Sequence, residues 1–198
     1  MILDAEAARG RPLADLLKAA ADGGARLFQY RDKHASMKDA YRQALALRQA
    51  AADAGAILIV NDRCDLALAV EADGVHLWQD DLPVQEARAI MGTGKLIGLS
   101  THNEAQVRAA VHSGADYLGF GPIFTPGSKR DHDPVVGLEG LKRMRALTSL
   151  PVFAIGGITA ESAGALAGAG ADGVAVITAI VQAADVTGTA RAFVSLFP

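Results

Sequence analysis

The chain has 198 residues, of which 51% are hydrophobic and 21% are charged. A chain of this length and composition can bury one substantial core, so we expect a single domain over residues 1–198. The net charge of −3 is spread without a basic block. This argues against a nucleic-acid or anionic-membrane partner and favours small-molecule ligands. The sequence leaves open whether the chain forms a homo-oligomer.

The single cysteine, Cys64, excludes an internal disulfide framework and suits a reducing compartment. No apolar run approaches the ~20 residues of a membrane span. The N-terminal residues also lack the basic-then-apolar order of a secretion signal. We therefore expect a cytoplasmic protein with no membrane partner.

Seven short apolar segments have the composition of β-strands. Between them lie longer alanine-rich segments with helical spacing, several of which end in a glycine suited to a left-handed helix end. Such alternation favours a parallel sheet covered by helices. The predicted strands are residues 25–30, 56–60, 74–77, 96–100, 117–121, 152–157 and 173–178.

The number of alternating units favours a TIM (β/α)8 barrel, with a doubly wound open sheet as the second option. A weak repeat, read as E-A-D-G-V-H-L, G-A-D-Y-L-G-F and G-A-D-G-V-A-V, places an Asp in the turn before three of the strands. Only Met1 to Leu3 precede Asp4 and the first helical segment. We therefore expect the first strand to be truncated or missing. An open seven-stranded barrel would expose two unpaired edges, which proteins normally cover, so a truncated or abnormally closed barrel is expected.

Polar residues follow the predicted strands, where a barrel of this kind builds its active site. In Q-Y-R-D-K, alternation places Gln29, Arg31 and Lys33 on one face of an extended segment. Two cations there suit a polyanion, and a solvated loop with surface ion pairs is the alternative. Other candidates at the same rim are Asn61, Ser100, Ser128, Lys129 and Thr178.

Two carboxylates, Asp62 and Asp81, follow successive predicted strands and can approach one ion. Hard oxygen ligands without clustered His or Cys, beside cations for a phosphate group, favour Mg²⁺. By alternation Asp80 is the weaker candidate. Helix N-caps are the alternative use of both carboxylates, since Asp is a preferred cap.

Gly156 and Gly157, together with residues 176–178, occupy positions where barrels commonly bind phosphate through backbone N–H groups. A tight turn is the alternative use of the glycines. The loop 122–130 carries hydroxyls and two cations and is a candidate lid, and residues 131–140 after it have no clear secondary structure. His76 is more typical of a packed core histidine than of an acid–base group.

Taken together, these motifs resemble the thiamine-phosphate synthase family from about Ala7 to the C-terminus. Q-Y-R-D-K is similar to that family's Q-x-R-x-K, and residues 61–81 are similar to its N-D-R…A-D-G-V-H-L-G-Q-x-D. The segments G-L-S-T-H-N, D-Y-L-G-F-G-P-I-F, A-I-G-G-I-T and G-V-A-V-I-T-A-I follow in the family's order. The resemblance implies a (β/α)8 barrel that joins 4-amino-5-hydroxymethyl-2-methylpyrimidine diphosphate to 4-methyl-5-(2-phosphoethyl)thiazole, an alkyl transfer that releases diphosphate.

The resemblance also implies a role for each candidate. Asp62 and Asp81 would hold Mg²⁺, and Gln29 would face the pyrimidine. The implied diphosphate ligands are Arg31, Lys33, Asn61, Ser100 and Lys129, of which Arg31, Lys33, Ser100 and Lys129 would be the catalytic residues. The implied thiazole-phosphate ligands are Gly157, Ile177 and Thr178. The motif segments add Tyr30, Asp32 and Ser128 to the implied substrate-binding residues.

The chain departs from that family at its nearly absent first strand and at two further places. Trp78 stands where the family usually has Gly, and P-G-S-K at 126–129 replaces T-x-T-K, so that Ser128 matches only the second threonine. Two other functions stay open. A thiazole tautomerase-like isomerase needs no diphosphate site and is disfavoured by Asp62, Asp81 and Lys129 together, whereas a missing strand would favour a non-catalytic phosphate-ligand binding protein.

Overall fold

The computed structural model describes residues 1–125 and 133–197. Eight parallel strands form one sheet in sequential order, so the predicted TIM-like (β/α)8 architecture is confirmed and the open doubly wound sheet is excluded. The strands are β1 (Ile2–Asp4), β2 (Leu27–Arg31), β3 (Ile57–Asn61), β4 (Gly74–Leu77), β5 (Leu96–Thr101), β6 (Tyr117–Phe120), β7 (Val152–Ile155) and β8 (Gly173–Ala175).

Helices follow the strands and cover the outside of the barrel. They are α1 (Leu13–Asp22), α2 (Met37–Asp53), α3 (Cys64–Ala69), α4 (Val84–Met91), α5 (Glu104–Val111), α6 (Gly137–Arg145), α7 (Ala160–Gly168), α8 (Thr178–Val181) and α9 (Val186–Val194). Helix α6 begins inside 131–140, where no clear secondary structure was predicted, because its two glycines obscure a helical pattern that buries Leu141 and Met144. In the described part of the chain, every helix is too short or too polar to cross a bilayer.

The first strand is short, as expected, but it is not missing. Ile2 to Asp4 pair in parallel with Gln29 to Arg31 of β2. On the other side, the Ile2 N–H donates a hydrogen bond to the carbonyl oxygen of Val176, just past β8, over 2.9 Å. Leu3 is fully buried. Three residues are therefore enough to bridge the two ends of the sheet, and the prediction of a truncated first strand is confirmed.

The recurring Ala-Asp turn has a defined structural role at the amino ends of the strands. Each Asp accepts a hydrogen bond from the first amides of the preceding strand, and each faces an arginine of a helix. The contacts are Asp73 with Leu58 N at 2.8 Å and Arg48 at 3.6 Å; Asp116 with Ile97 N at 2.7 Å and Arg88 at 2.6 Å; and Asp172 with Val152 N at 2.8 Å and Arg145 at 3.7 Å. The face at the amino ends of the strands therefore stabilises the fold.

Strand residues alternate between the helix layer and the barrel interior. The outward side chains pack under the helices as the main core, and they include Phe28, Leu58, Ile97 and Leu118. The interior side chains of β4, β5 and β6 include three polar ones, those of His76, Ser100 and Tyr117. The apolar core therefore lies between sheet and helices, and the inside of the barrel supports the rim formed by the carboxyl ends of the strands.

Candidate active site

A buried polar network lies inside the barrel, centred on His76, which is 7% exposed. Its Nδ1 is 3.1 Å from the Tyr117 hydroxyl, and its Nε2 is 2.9 Å from Ser100 Oγ. Gly98 makes room for this group, since a Cβ there would overlap the His76 ring and the Tyr117 hydroxyl. Burial lowers the pKa of His76 to about 4, so the imidazole is neutral near pH 7. The network agrees with the interpretation of His76 as a packed histidine, and it holds the Ser100 hydroxyl below the rim.

Asp62 and Asp81 meet at this rim. Asp62 follows β3 with a φ of 64°, and its N–H donates to the His76 carbonyl oxygen over 2.9 Å. Burial, and next the neighbouring Asp81 carboxylate, raise the pKa of Asp62 to about 6. The Oδ1 atom of Asp62 is buried without a hydrogen-bond partner among the described residues.

The helix-cap alternative for these two carboxylates does not hold. Helix α3 is preceded by Arg63 and helix α4 by Pro83, and neither helix has a side-chain cap. The Asp81 carboxylate instead accepts a hydrogen bond from the backbone N–H of Trp78 over 2.8 Å. Asp80 is exposed, in line with its weaker standing as a candidate ligand.

Arg31 and Lys33 lie beside the carboxylate pair. Both cations act to lower the pKa of Asp62, against the effect of burial. The Arg31 guanidinium is 16% exposed and forms an ion pair with Asp4, whose other oxygen accepts from the Ala7 N–H over 2.8 Å. Asp4 is not among the site residues that the sequence motifs predict. The available signal was a carboxylate that ends the first strand, as Arg31 ends the second.

The other residues of the Q-Y-R-D-K motif point in different directions. Gln29 alternates with Tyr30 and shares the interior face with Arg31. Tyr30 points into the helix layer, where it is 2% exposed, so its placement argues against the predicted contact with substrate. The Asp32 carboxylate accepts from the N–H groups of His34 at 3.0 Å and Ala35 at 2.9 Å, which gives it a role in the turn after β2.

Asn61 ends β3 and is 7% exposed. Its Oδ1 accepts a hydrogen bond from Trp78 Nε1 over 3.4 Å. The indole ring of Trp78 stacks on His102 with a centroid separation of 5.9 Å, and Lys33 Nζ is 6.0 Å from the indole centroid. The large side chain that replaces the family's usual Gly is thus built into the rim.

The predicted thiazole-phosphate residues lie at the same end of the barrel. Gly156 and Gly157 have φ values of 99° and 62°, which L side chains rarely adopt. A Cβ on Gly157 would lie 2.6 Å from the Thr125 carbonyl oxygen, so the tight-turn interpretation holds for this segment. Ile177 immediately precedes α8, which begins at Thr178. Ser128, Lys129 and most of the candidate lid lie outside the described residues.

Comparison with known proteins identifies the family. Residues 1–180 match the family model described as thiamine monophosphate synthase. The chain belongs to the thiamine monophosphate synthase family. Members of this family from Chloroflexus aurantiacus and Methanoculleus marisnigri, both named thiamine-phosphate synthase, are each 50% identical to it over 191 residues. Those alignments cover 96% of this chain and 88% and 90% of the relatives.

A solved structure of the same family gives the same picture. The thiamine phosphate pyrophosphorylase from Pyrococcus furiosus is 35% identical to this chain, with a TM-score of 0.89. The match covers 98% of this chain and 93% of that one. The resemblance inferred from the motifs is therefore confirmed at the level of the whole barrel.

Proposed function

We infer that this chain is a thiamine-phosphate synthase. It joins 4-amino-5-hydroxymethyl-2-methylpyrimidine diphosphate to 4-methyl-5-(2-phosphoethyl)thiazole, giving thiamine phosphate and diphosphate. The observation that carries this inference is the group at the rim, where the Asp62 and Asp81 carboxyls interact beside Arg31 and Lys33. Such a group suits a diphosphate held with a cation, and it occurs in a chain half identical to proteins named thiamine-phosphate synthase.

Asp62 and Asp81 fit a Mg²⁺ ion. The buried Oδ1 of Asp62 lacks a partner among the described residues, and a cation between the two carboxylates would relieve their repulsion. Within residues 1–125 and 133–197, no group of three or more His, Cys, Asp or Glu side chains could hold a metal. Two carboxylates with substrate oxygens and water are a common Mg²⁺ set. When bound, the ion would neutralise charge on the diphosphate oxygens.

The protein's own groups stabilise the leaving group. As the bond between the pyrimidine methylene and the diphosphate oxygen breaks, its electron pair goes to the diphosphate. Arg31, Lys33 and Asn61 then donate to oxygens that become more negative. Because Asp4 already holds the Arg31 guanidinium, this donor needs little reorganisation during the reaction. The aminopyrimidine delocalises the remaining positive charge, and the thiazole nitrogen lone pair forms the new C–N bond.

The sequence does not predict the Ser100–His76 hydrogen bond, and this bond does not make Ser100 a nucleophile. The lowered pKa of His76, about 4, makes it a poor proton acceptor. Its second ring nitrogen contacts Tyr117 rather than a carboxylate. Ser100 therefore acts as a positioned hydroxyl that donates to the diphosphate. No covalent intermediate with the protein is required.

On the opposite side of the rim, the thiazole phosphate binds the N–H of Gly157 and the backbone and hydroxyl of Ile177 and Thr178. The positive φ of Gly157 and the start of α8 at Thr178 support this assignment. Ser128 and Lys129 lie outside the described residues, so they stay predicted substrate ligands.

The test is a coupled assay of diphosphate release by the purified protein. Diphosphate and thiamine phosphate are expected only when Mg²⁺ and both substrates are present, and chelation with EDTA should stop turnover. A tautomerase would release no diphosphate, and a binding protein would show affinity without turnover. The presence of β1 also removes the reason for favouring the binding protein.

A further inference from the structure

Trp78 contacts three residues of the proposed diphosphate site. Its indole N–H donates to Asn61 Oδ1 over 3.4 Å, and its ring face lies 6.0 Å from Lys33 Nζ. Its backbone N–H donates to the Asp81 carboxylate over 2.8 Å. One residue of the loop after β4 thus touches groups that come from the ends of β2 and β3.

The contact with Asn61 determines which way its amide faces. An indole N–H can only donate, so the atom it meets must be the amide oxygen of Asn61. Both N–H bonds of the Asn61 amide are then left to point elsewhere at the rim. Asn61 is buried, and a flip of its amide would break the hydrogen bond to Trp78. The amide oxygen is therefore not turned toward a bound anion.

The contact with Lys33 restricts a long side chain that is otherwise exposed. A lysine ammonium within about 6 Å of an indole centroid is attracted to the ring face. Holding it there before the ligand arrives reduces the conformational entropy lost on binding.

A second ring contact fixes the indole itself. It stacks on His102 at a centroid distance of 5.9 Å and an interplanar angle of 26°. His102 Nδ1 lies 2.6 Å from the Gly121 carbonyl oxygen, which anchors the imidazole to the end of β6. The Trp78 ring therefore has a defined orientation before any ligand binds.

We propose that Trp78 is a positioning residue for the pyrimidine diphosphate, orienting the Asn61 amide and confining the Lys33 ammonium beside Asp62 and Asp81. This proposal rests on the proposed function. Trp78 takes no part in bond making, and it acts through the two donors that it touches.

Two variants separate its contacts. Trp78→Phe keeps a ring face but loses the N–H donor, and Trp78→Leu loses both. The KM for the pyrimidine diphosphate should rise about 3- to 10-fold in Trp78→Phe and about 10- to 50-fold in Trp78→Leu. The KM for the thiazole phosphate should stay within about twofold, because the proposed contacts lie on the diphosphate side. Tyr41→Leu, which removes an exposed aromatic ring on α2, is the matched control.

A binding measurement gives a second readout that needs no turnover. Trp78 is the only tryptophan in the sequence. Inorganic diphosphate added with Mg²⁺ should change the tryptophan emission of the parent protein, saturating at the Kd found by calorimetry. Calorimetry should show that the affinity for inorganic diphosphate falls in Trp78→Phe and falls further in Trp78→Leu, as the rise in KM predicts.

The outcomes are distinct. A parent protein that releases no diphosphate from its substrates would remove the proposed function. An active parent whose variants keep both its KM values and its affinity for inorganic diphosphate would overturn the role of Trp78 alone, as would an equal rise in both KM values. If neither variant folds, an unchanged emission of the parent at saturating diphosphate and Mg²⁺ overturns the proposal, and a saturable change supports it.

Discussion

Asp81 places its carboxylate close enough to Asp62 to raise the pKa of the Asp62 carboxyl. Backbone hydrogen bonds hold both residues, from the Asp62 N–H to His76 and from the Trp78 N–H to Asp81. The like-charged pair is therefore built into the loops after β3 and β4. Without a cation, the repulsion between the two carboxylates lowers the stability of the fold. Such a pair is typical of a site that binds a cation.

Replacing Asp81 by Asn should remove most of the turnover while sparing the thiazole phosphate. We expect kcat to fall at least about 100-fold, because the leaving diphosphate loses its cation. The Kd for the thiazole phosphate, measured by calorimetry, should change less than about threefold. Asp80→Asn, at the exposed neighbouring position, is the control. Equal losses of turnover and thiazole-phosphate affinity would count against the assignment.

The raised pKa of Asp62, about 6 instead of 3.8, gives a pH dependence with a defined sign. The fold favours the protonated carboxyl, so this contribution to the free energy of unfolding is present below the ordinary pKa and is lost as the pH rises through about 6. Without Mg²⁺, Asp62→Asn should therefore gain stability relative to the parent between about pH 4 and 7.

Urea unfolding of both proteins in EDTA, at three pH values across that window, checks this expectation. Titrating groups that do not interact with Asp62 cancel in the difference between the two proteins. Added Mg²⁺ should stabilise the parent and leave Asp62→Asn nearly unchanged. A stability difference that does not vary with pH would refute the assigned electrostatics.

Two buried tyrosines should differ in how loss of the hydroxyl changes stability. Tyr117→Phe leaves the buried Nδ1 of His76 unpaired, so the free energy of unfolding should fall by about 1–3 kcal/mol. The Tyr30 hydroxyl is buried and finds no partner in the portion of the chain that the structure describes. Tyr30→Phe should therefore leave stability unchanged or raise it. Urea unfolding measures both changes, and Tyr41→Phe is the exposed control. Equal losses of unfolding free energy at the two buried sites would contradict the assigned hydroxyl contacts.

Asp116 illustrates the separation of stability from chemistry in this barrel. Asp116→Ala removes hydrogen bonds to the Ile97 N–H and to Arg88, and it should lower the free energy of unfolding by about 2–3 kcal/mol. The residue precedes β6 at the amino ends of the strands, so kcat should stay within about twofold of the parent at a temperature where the variant is folded. A large loss of kcat without loss of stability would show that the two faces are not independent.

Local sequence patterns predict the positions of most strands and helices and the residues available at the rim. The predicted strand 74–77 coincides with β4 (Gly74–Leu77), and the predicted segment 56–60 lies one residue from β3 (Ile57–Asn61). Periodicity and turn residues act over a few neighbouring positions, so they can be read without knowledge of the fold. The polar residues that follow each strand could be identified for the same reason.

The pairing of those residues, by contrast, depends on the tertiary fold. A three-residue strand such as β1 is too short for any periodicity, and it becomes recognisable through its hydrogen bonds to β2 and Val176. The contacts of Arg31 with Asp4 and of Trp78 with Asn61 join residues 27 and 17 positions apart. Such contacts depend on strand register and loop course, which no local pattern specifies.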